Sequence, residues 1–150
     1  MTEEDIKLLL KDLSARLTYN VKAYVKNWSK LDRKYYEGVY TVESIHPSLN
    51  NILAYSERFS VEVIVGYDDY EIKPYLFPLS SMTEEQKKYI NDRWGINEDF
   101  DFEIDPNWGK YFVDLGDVVD YINWLNENHF DYRGLIEKGL AIDATNLNIY

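Results

Sequence analysis

The chain of 150 residues contains no cysteine. That absence excludes disulfides, thiolate nucleophiles and cysteine-ligated zinc. No apolar run approaches the ~18 residues that mark a membrane-spanning helix. Histidine occurs only at His46 and His129, and neither has a second histidine at metal-ligand spacing, so no metal site and no cofactor are expected. A nucleophile elbow, a P-loop and a dinucleotide fingerprint are all missing. A catalytic pair assembled in space stays open, because triads need no sequence proximity. Positive charge is also scarce: 16 Lys and Arg stand against 27 Asp and Glu, net −11. The deficit is uneven. Residues 1–90 carry 12 basic and 14 acidic side chains, and residues 91–150 carry 4 and 13. A field of that sign repels nucleic acid from the C-terminal part. It reads either as a solubility device or as an acidic surface for a basic partner. The start, Met1-Thr2-Glu3-Glu4-Asp5, is acidic where a secretory signal is basic and then apolar. A cytoplasmic protein is expected.

Aromatic residues are plentiful, with 14 Tyr and 4 Trp. They supply core mass, and they also suit interfaces where one end of the ring stays wet. The length fits one α+β domain spanning residues 1–150. The chain changes character over Ile72-Lys73-Pro74-Tyr75-Leu76-Phe77-Pro78-Leu79-Ser80-Ser81-Met82-Thr83-Glu84-Glu85-Gln86. Before it, apolar and polar residues mostly alternate. After it, Thr83 and Gln86 form a capping-box pattern that starts a helix. Pro74 and Pro78 are expected to stop the strand, since neither donates to a sheet ladder. Tyr75, Leu76, Phe77 and Leu79 crowd apolar mass into this connector. It is read as pinned across a core, with an aromatic binding ledge as the alternative.

Thr2 caps a first helix whose Ile6, Leu9, Leu10, Leu13 and Leu17 form one buried stripe, ending near Arg16. Val21 to Trp28 reads as a strand, with Lys22, Tyr24, Lys26 and Trp28 on one face. Interleaved cations and aromatics match a nucleic-acid stacking face, or an exposed sheet face whose lysine stems cover rings. Gly38 to Ile45 and Ile52 to Ser56 are further strands, separated by turn residues His46 to Asn51. Phe59 to Val65 alternates most cleanly of all. The sum is an antiparallel meander of three to five strands, able to close into a small SH3-like barrel. A second helix runs from Thr83 to about Trp94 and stops at Gly95. An inserted hairpin over Asp99 to Leu115 follows. Then comes a helix capped by Asp117, with Val118, Tyr121, Ile122 and Leu125 buried. A short helix and irregular chain close the sequence.

The strongest candidate site is Asp99, Asp101, Glu103 and Asp105, with a carboxylate at every second position of a predicted strand. An EF-hand is excluded, because Ile104 stands where glycine must turn the loop. Alternate strand residues lie ~6.6 Å apart, comparable with successive phosphates, so an acidic DNA mimic is one reading. A charged edge strand that blocks aggregation is the other. Tyr75, Phe77 and Trp108 are the candidate aromatic contacts. Arg133 is expected to pair with Asp131 or to cap the carbonyls of the preceding helix. A hydrolase built on dispersed aspartate with His46 or His129 is a third class of function.

Three segments look familiar: Asp12-Leu13-Ser14-Ala15-Arg16-Leu17-Thr18-Tyr19-Asn20-Val21-Lys22, Lys73-Pro74-Tyr75-Leu76-Phe77-Pro78-Leu79-Ser80-Ser81-Met82-Thr83, and Phe130-Asp131-Tyr132-Arg133-Gly134-Leu135-Ile136-Glu137-Lys138-Gly139-Leu140-Ala141. Together the chain resembles a family of small uncharacterised proteins encoded by phages and integrated mobile elements of gut anaerobic bacteria. Members of that family often have Pro-Tyr-Gly in place of Thr18-Tyr19-Asn20 and arginine in place of Phe77, and the tail after Ala141 departs. The resemblance implies a context, a phage or prophage accessory protein in a bacterial cell, and no site residue. The expected function is non-enzymatic binding of a host or phage protein through aromatic and acidic surface. A nucleic-acid-associated role for the Lys22–Trp28 face is the alternative.

Overall fold

The computed structural model describes residues 1–29, 32–57, 60–100 and 114–150. The fold is α+β, with an N-terminal helix, a mixed sheet and C-terminal helices. Helix α1 spans Glu3–Arg16 and opens with a capping box between Thr2 and Asp5. Each side chain satisfies a backbone N–H that the first turn leaves unpaired. Five strands follow: β1 Lys22–Ser29, β2 Lys34–His46, β3 Asn51–Tyr55, β4 Ser60–Ile64 and β5 Tyr70–Pro78. Helices α2 Glu84–Trp94 and α3 Leu115–Glu127 come next, then the two-residue strands β6 Phe130–Asp131 and β7 Ile142–Asp143. The strand order is β4-β3-β2-β1-β5-β6, and β7 also pairs with β5. The first five strands pair antiparallel, whereas β6 and β7 join β5 in parallel.

The meander therefore matches the sequence reading, and the barrel does not. A groove of about 410 Å³ lies against Trp28 of β1 and Val61 of β4, strands that are three places apart in the sheet. The sheet curls, with a register shift between Val42 and Ser44 that adds local twist. It stays open, since among the described residues β4 pairs only with β3.

Other expectations are corrected. Pro74 does not end its strand. It is the last residue paired with β1, opposite Ala23, and Pro78 is the last residue of β5. Both missing donors fall at ladder ends, where they cost least. Helix α3 is capped by Asp114, whose side chain accepts from the Gly116 N–H at 2.7 Å, and not by Asp117. Leu115 accordingly lies in the helix rather than in a hairpin. The rest of that predicted hairpin, 101–113, falls outside the described residues. The final segment forms turns and β7 in place of a short helix. Asp131 causes this: its carboxylate accepts from the N–H groups of Leu135 and Ile136 at 2.9 and 2.8 Å, which holds the chain in a tight turn.

Two cores form. Leu9, Leu10 and Leu13 of α1 pack on Val21, Ala23, Val25, Ile52, Val63 and Ile72 of the sheet, with Leu76 and Leu135 alongside. Met82, Ile90, Ile96, Tyr121, Leu125 and Phe130 make the second core, with Phe77, Trp94 and Trp124 against it. Strand β5 joins them. Successive strand residues point to opposite faces, so Leu76 enters the first core and Phe77 packs on the second.

A buried ion cluster ties the same elements together. Arg16 is 0% exposed, as is Asp12. Arg16 Nε and Nη2 donate to the two Asp12 oxygens at 2.8 and 3.0 Å. Nη2 also reaches the Phe130 carbonyl at 2.7 Å. Arg133, expected to serve Asp131 or the end of α3, instead donates from Nη1 to Asp12 at 2.8 Å. Its preferred partner is the carboxylate that water cannot reach, because Asp131 is already occupied by two backbone donors.

One turn carries a glycine requirement. Gly66 has φ +93°, and a Cβ there would stand 2.6 Å from Ile6 Cδ1. The Ile6 tip can pivot, but the backbone conformation cannot be kept cheaply by another residue. Gly66→Ala is expected to lower stability by roughly 1–3 kcal/mol, read as a lower urea midpoint at unchanged m-value.

Candidate functional site

Strand β1 places Lys22, Tyr24, Lys26 and Trp28 on one face, as the alternation requires. Their neighbours decide what that face can do. Lys26 lies opposite Glu37 of β2 and Glu71 of β5, with its Nζ 4.6 Å from the Tyr35 ring centroid. Tyr24 Oη donates to Glu37 at 2.6 Å, and that hydrogen bond pushes the phenol up to about 12. Trp28 meets Tyr35 edge-on at 4.9 Å. Lys22 Nζ donates to the Ile149 carbonyl at 2.5 Å. Each cation is matched locally by a carboxylate, a ring or a carbonyl. The lysine stems lie over aromatic surface in the manner of snorkelling side chains.

Of the acidic candidates, Asp99 is exposed and sits in a turn, with its N–H on Asn97 Oδ1 at 2.9 Å. Phe100 follows with φ +65°, so the chain is not extended where the predicted strand should begin. Asp101, Glu103, Asp105 and Trp108 lie outside the described residues. Tyr75 is only 7% exposed, at the position where β5 passes from pairing with β1 to pairing with Ile142 of β7. Phe77 is half-buried and lines a cleft.

That cleft, of about 470 Å³, opens between the end of β5, the start of α2, the end of α3 and the tail. Its aromatic wall is continuous. Phe77 lies 6.2 Å from Phe130 and 5.9 Å from Tyr150 between ring centroids. Phe130 stacks on Trp124 at 5.7 Å. His129 stacks on Tyr150 at 3.9 Å with planes 14° apart. Tyr150 Oη donates to the Tyr75 carbonyl at 2.8 Å and accepts from the Lys22 N–H at 3.1 Å. Tyr150 is 42% exposed overall, but desolvation at its hydroxyl end pushes the phenol up to about 12.

His129 lines the cleft and combines several departures from the ordinary. It is 7% exposed. Its backbone is left-handed, φ +58°, a region that non-glycine residues seldom occupy. Its Nδ1 is buried without a hydrogen-bond partner. Burial, assisted by Arg16 and Lys22 and opposed by Asp12, pulls its imidazole down to about 4, so the ring is neutral at pH 7. His46 ends β2 and is exposed. No hydrogen bond joins either imidazole to a hydroxyl or carboxylate among the described residues.

Sequence reasoning missed both the Asp12–Arg16–Arg133 cluster and the cleft. The first left a signal: Asp12 and Arg16 are four apart on the stripe that also holds Leu9 and Leu13, so both charges had to enter the core. The second left almost none, because Phe77, His129 and Tyr150 are brought together only by the packing of the tail.

The fold and site define an α+β protein with an open mixed sheet and an aromatic cleft beside it. The chain matches no protein-family model, and no curated protein or solved structure is significantly similar to it.

Proposed function

We propose that this is a non-enzymatic accessory protein of a phage or integrated mobile element. It works in the cytoplasm of a bacterial host by binding a host or phage protein that presents a basic surface. The observation that supports this reading is the distribution of unpaired charge around the two C-terminal helices. Glu85, Asp92, Asp99, Asp120 and Glu127 are exposed and have no ion-pair partner among the described residues. Of the nearby cations, Lys87 pairs with Glu84 at 2.8 Å and Arg133 is drawn inward to Asp12, which leaves Lys88 and Arg93 of α2 facing these five carboxylates. Tyr89 is exposed beside these acids and packs edge-on against Trp94. An aromatic residue set among uncompensated carboxylates suits a basic protein surface, with the field steering the encounter. The Lys22–Trp28 face supports the nucleic-acid alternative less well, since Glu37 and Glu71 flank Lys26 and repel phosphate.

The test is affinity capture from bacterial lysate with and without nuclease, using the wild-type chain and a variant carrying Glu85→Lys, Asp92→Lys, Asp120→Lys and Glu127→Lys. A partner that survives nuclease and is lost by about tenfold or more in the variant is expected, because rim charges govern association. Retention that charge reversal leaves unchanged overturns the acidic-surface reading. Retention that nuclease abolishes transfers the role to the Lys22–Trp28 face.

A further inference from the structure

We propose that the cleft between β5, α3 and the tail is a binding site for a flat heteroaromatic small molecule that carries N–H donors and no negative charge. This site adjoins the acidic helical surface and shares Glu127 with it, but small-molecule binding here does not depend on a protein partner there.

Shape comes first. A space of about 470 Å³ walled by Phe77, Phe130 and Tyr150 lies within the range of small-ligand pockets. Its aromatic wall favours a planar ring by stacking.

Hydrogen-bonding capacity narrows the class. Three donors that line the cleft are already used inside the chain, Ser81 Oγ on the Pro78 carbonyl, Asn128 Nδ2 on the Trp124 carbonyl and Thr145 Oγ1 on Asp143, while Thr83 and Gln86 spend only their acceptors, on the capping box. The Glu127 carboxylate and the Asn128 amide oxygen keep their accepting capacity. A ligand that satisfies them must bring donors.

Charge narrows it further. Glu127 is the charged side chain that lines the cleft, and His129 is neutral at pH 7. The Lys22 ammonium that might have served an anion is bonded to the Ile149 carbonyl. A phosphate or carboxylate group would meet the repulsion of Glu127, offset in part by the N-terminus of α2 at the edge of the cleft.

The independent mark of a site is His129. A buried polar atom without a partner is rare in folded proteins, and so is a left-handed histidine. Among the described residues His129 shows both, in the wall of the cleft, while Trp94 Nε1 is the other unpartnered buried atom, packed against the second core. Strain and unsatisfied groups gather where a structure is organised for a ligand.

The probes are 2-aminobenzimidazole, which is flat and rich in N–H donors, and 2-naphthoate, which is flat and anionic. Binding is followed by the ring resonances of His129 and Tyr150 in NMR and by the fluorescence of Trp124, which stacks on Phe130. The expected result is saturable binding of 2-aminobenzimidazole that shifts the His129 and Tyr150 resonances. It should weaken by about tenfold in Glu127→Gln, the loss of one charge-assisted hydrogen bond. Glu127 is exposed, so this variant keeps the fold, and naphthoate should bind at least as weakly as 2-aminobenzimidazole does to it. No saturable shift up to the solubility limit overturns the proposal. So does equal or tighter binding of naphthoate, or an affinity indifferent to Glu127→Gln.

Discussion

Asp12→Ala is expected to destabilise the protein by about 3–5 kcal/mol, the range for removing one partner of a buried ion pair. The effect is large because the loss is not one contact. Asp12 accepts from Arg16 Nε, Arg16 Nη2 and Arg133 Nη1. Without the carboxylate, Arg16 is left fully buried with only the carbonyls of Phe130 and Leu125 to receive its donors. A guanidinium cannot shed its proton to escape. Arg133→Ala should cost much less, since Arg133 is partly exposed and its charge can be met by water. The double variant Asp12→Leu with Arg16→Met should recover a substantial part of the loss, because apolar replacement of a buried pair is often close to neutral. Urea unfolding of the four proteins at pH 7 checks this. An Asp12→Ala loss below about 1 kcal/mol would contradict a buried, water-free cluster.

The second large effect is a loss of stability on mild acidification that His129 alone produces. Its imidazole is held down at about 4 in the folded chain, against about 6.5 when unfolded. The unfolded chain therefore binds the extra proton between those values. Stability is complete above pH 6.5 and falls as pH drops toward 4. At pH 5 the expected loss from this residue is about 2 kcal/mol. Protonation would place a third cation beside Arg16 and Lys22, with Asp12 already shared between two arginines. His129→Asn tolerates the left-handed backbone and removes the titration. The comparison is the difference in unfolding free energy between pH 7.5 and pH 5.0 for the two proteins. Parallel pH dependences would show that the ring is hydrated in the native state.

Both predictions concern residues whose importance depends on where the chain returns to itself. Local signals were read well. Thr2 as a cap, Thr83 with Gln86 and Gly95 at the end of α2 are each set by backbone groups a few residues away. The alternation in β1, β3 and β4 survived because one sheet face meets α1 and the other meets water. Pro74 misled, since proline's cost depends on whether its ladder continues, and that depends on the partner strand. Asp117 lost to Asp114 as cap because two acids three residues apart offer the same chemistry, and only the path of the preceding chain selects one. Tyr75, one of the candidate contacts, is buried, as the core-spanning reading of its connector implies: an apolar connector looks alike whether it edges a sheet or runs through it.

By itself the sequence determined α1, the antiparallel strands and α2, the sense of the charge and the exclusion of cysteine chemistry, because propensity, capping and periodicity act over a few residues. Tertiary structure alone decided that β5 joins two cores, that Arg16 and Arg133 converge on Asp12, and that Phe77, His129 and Tyr150 enclose one cleft. These contacts link residues separated by up to 128 positions, as Lys22 and Tyr150 are. Their energy is gained only once distant segments have been brought together against the entropy of the chain.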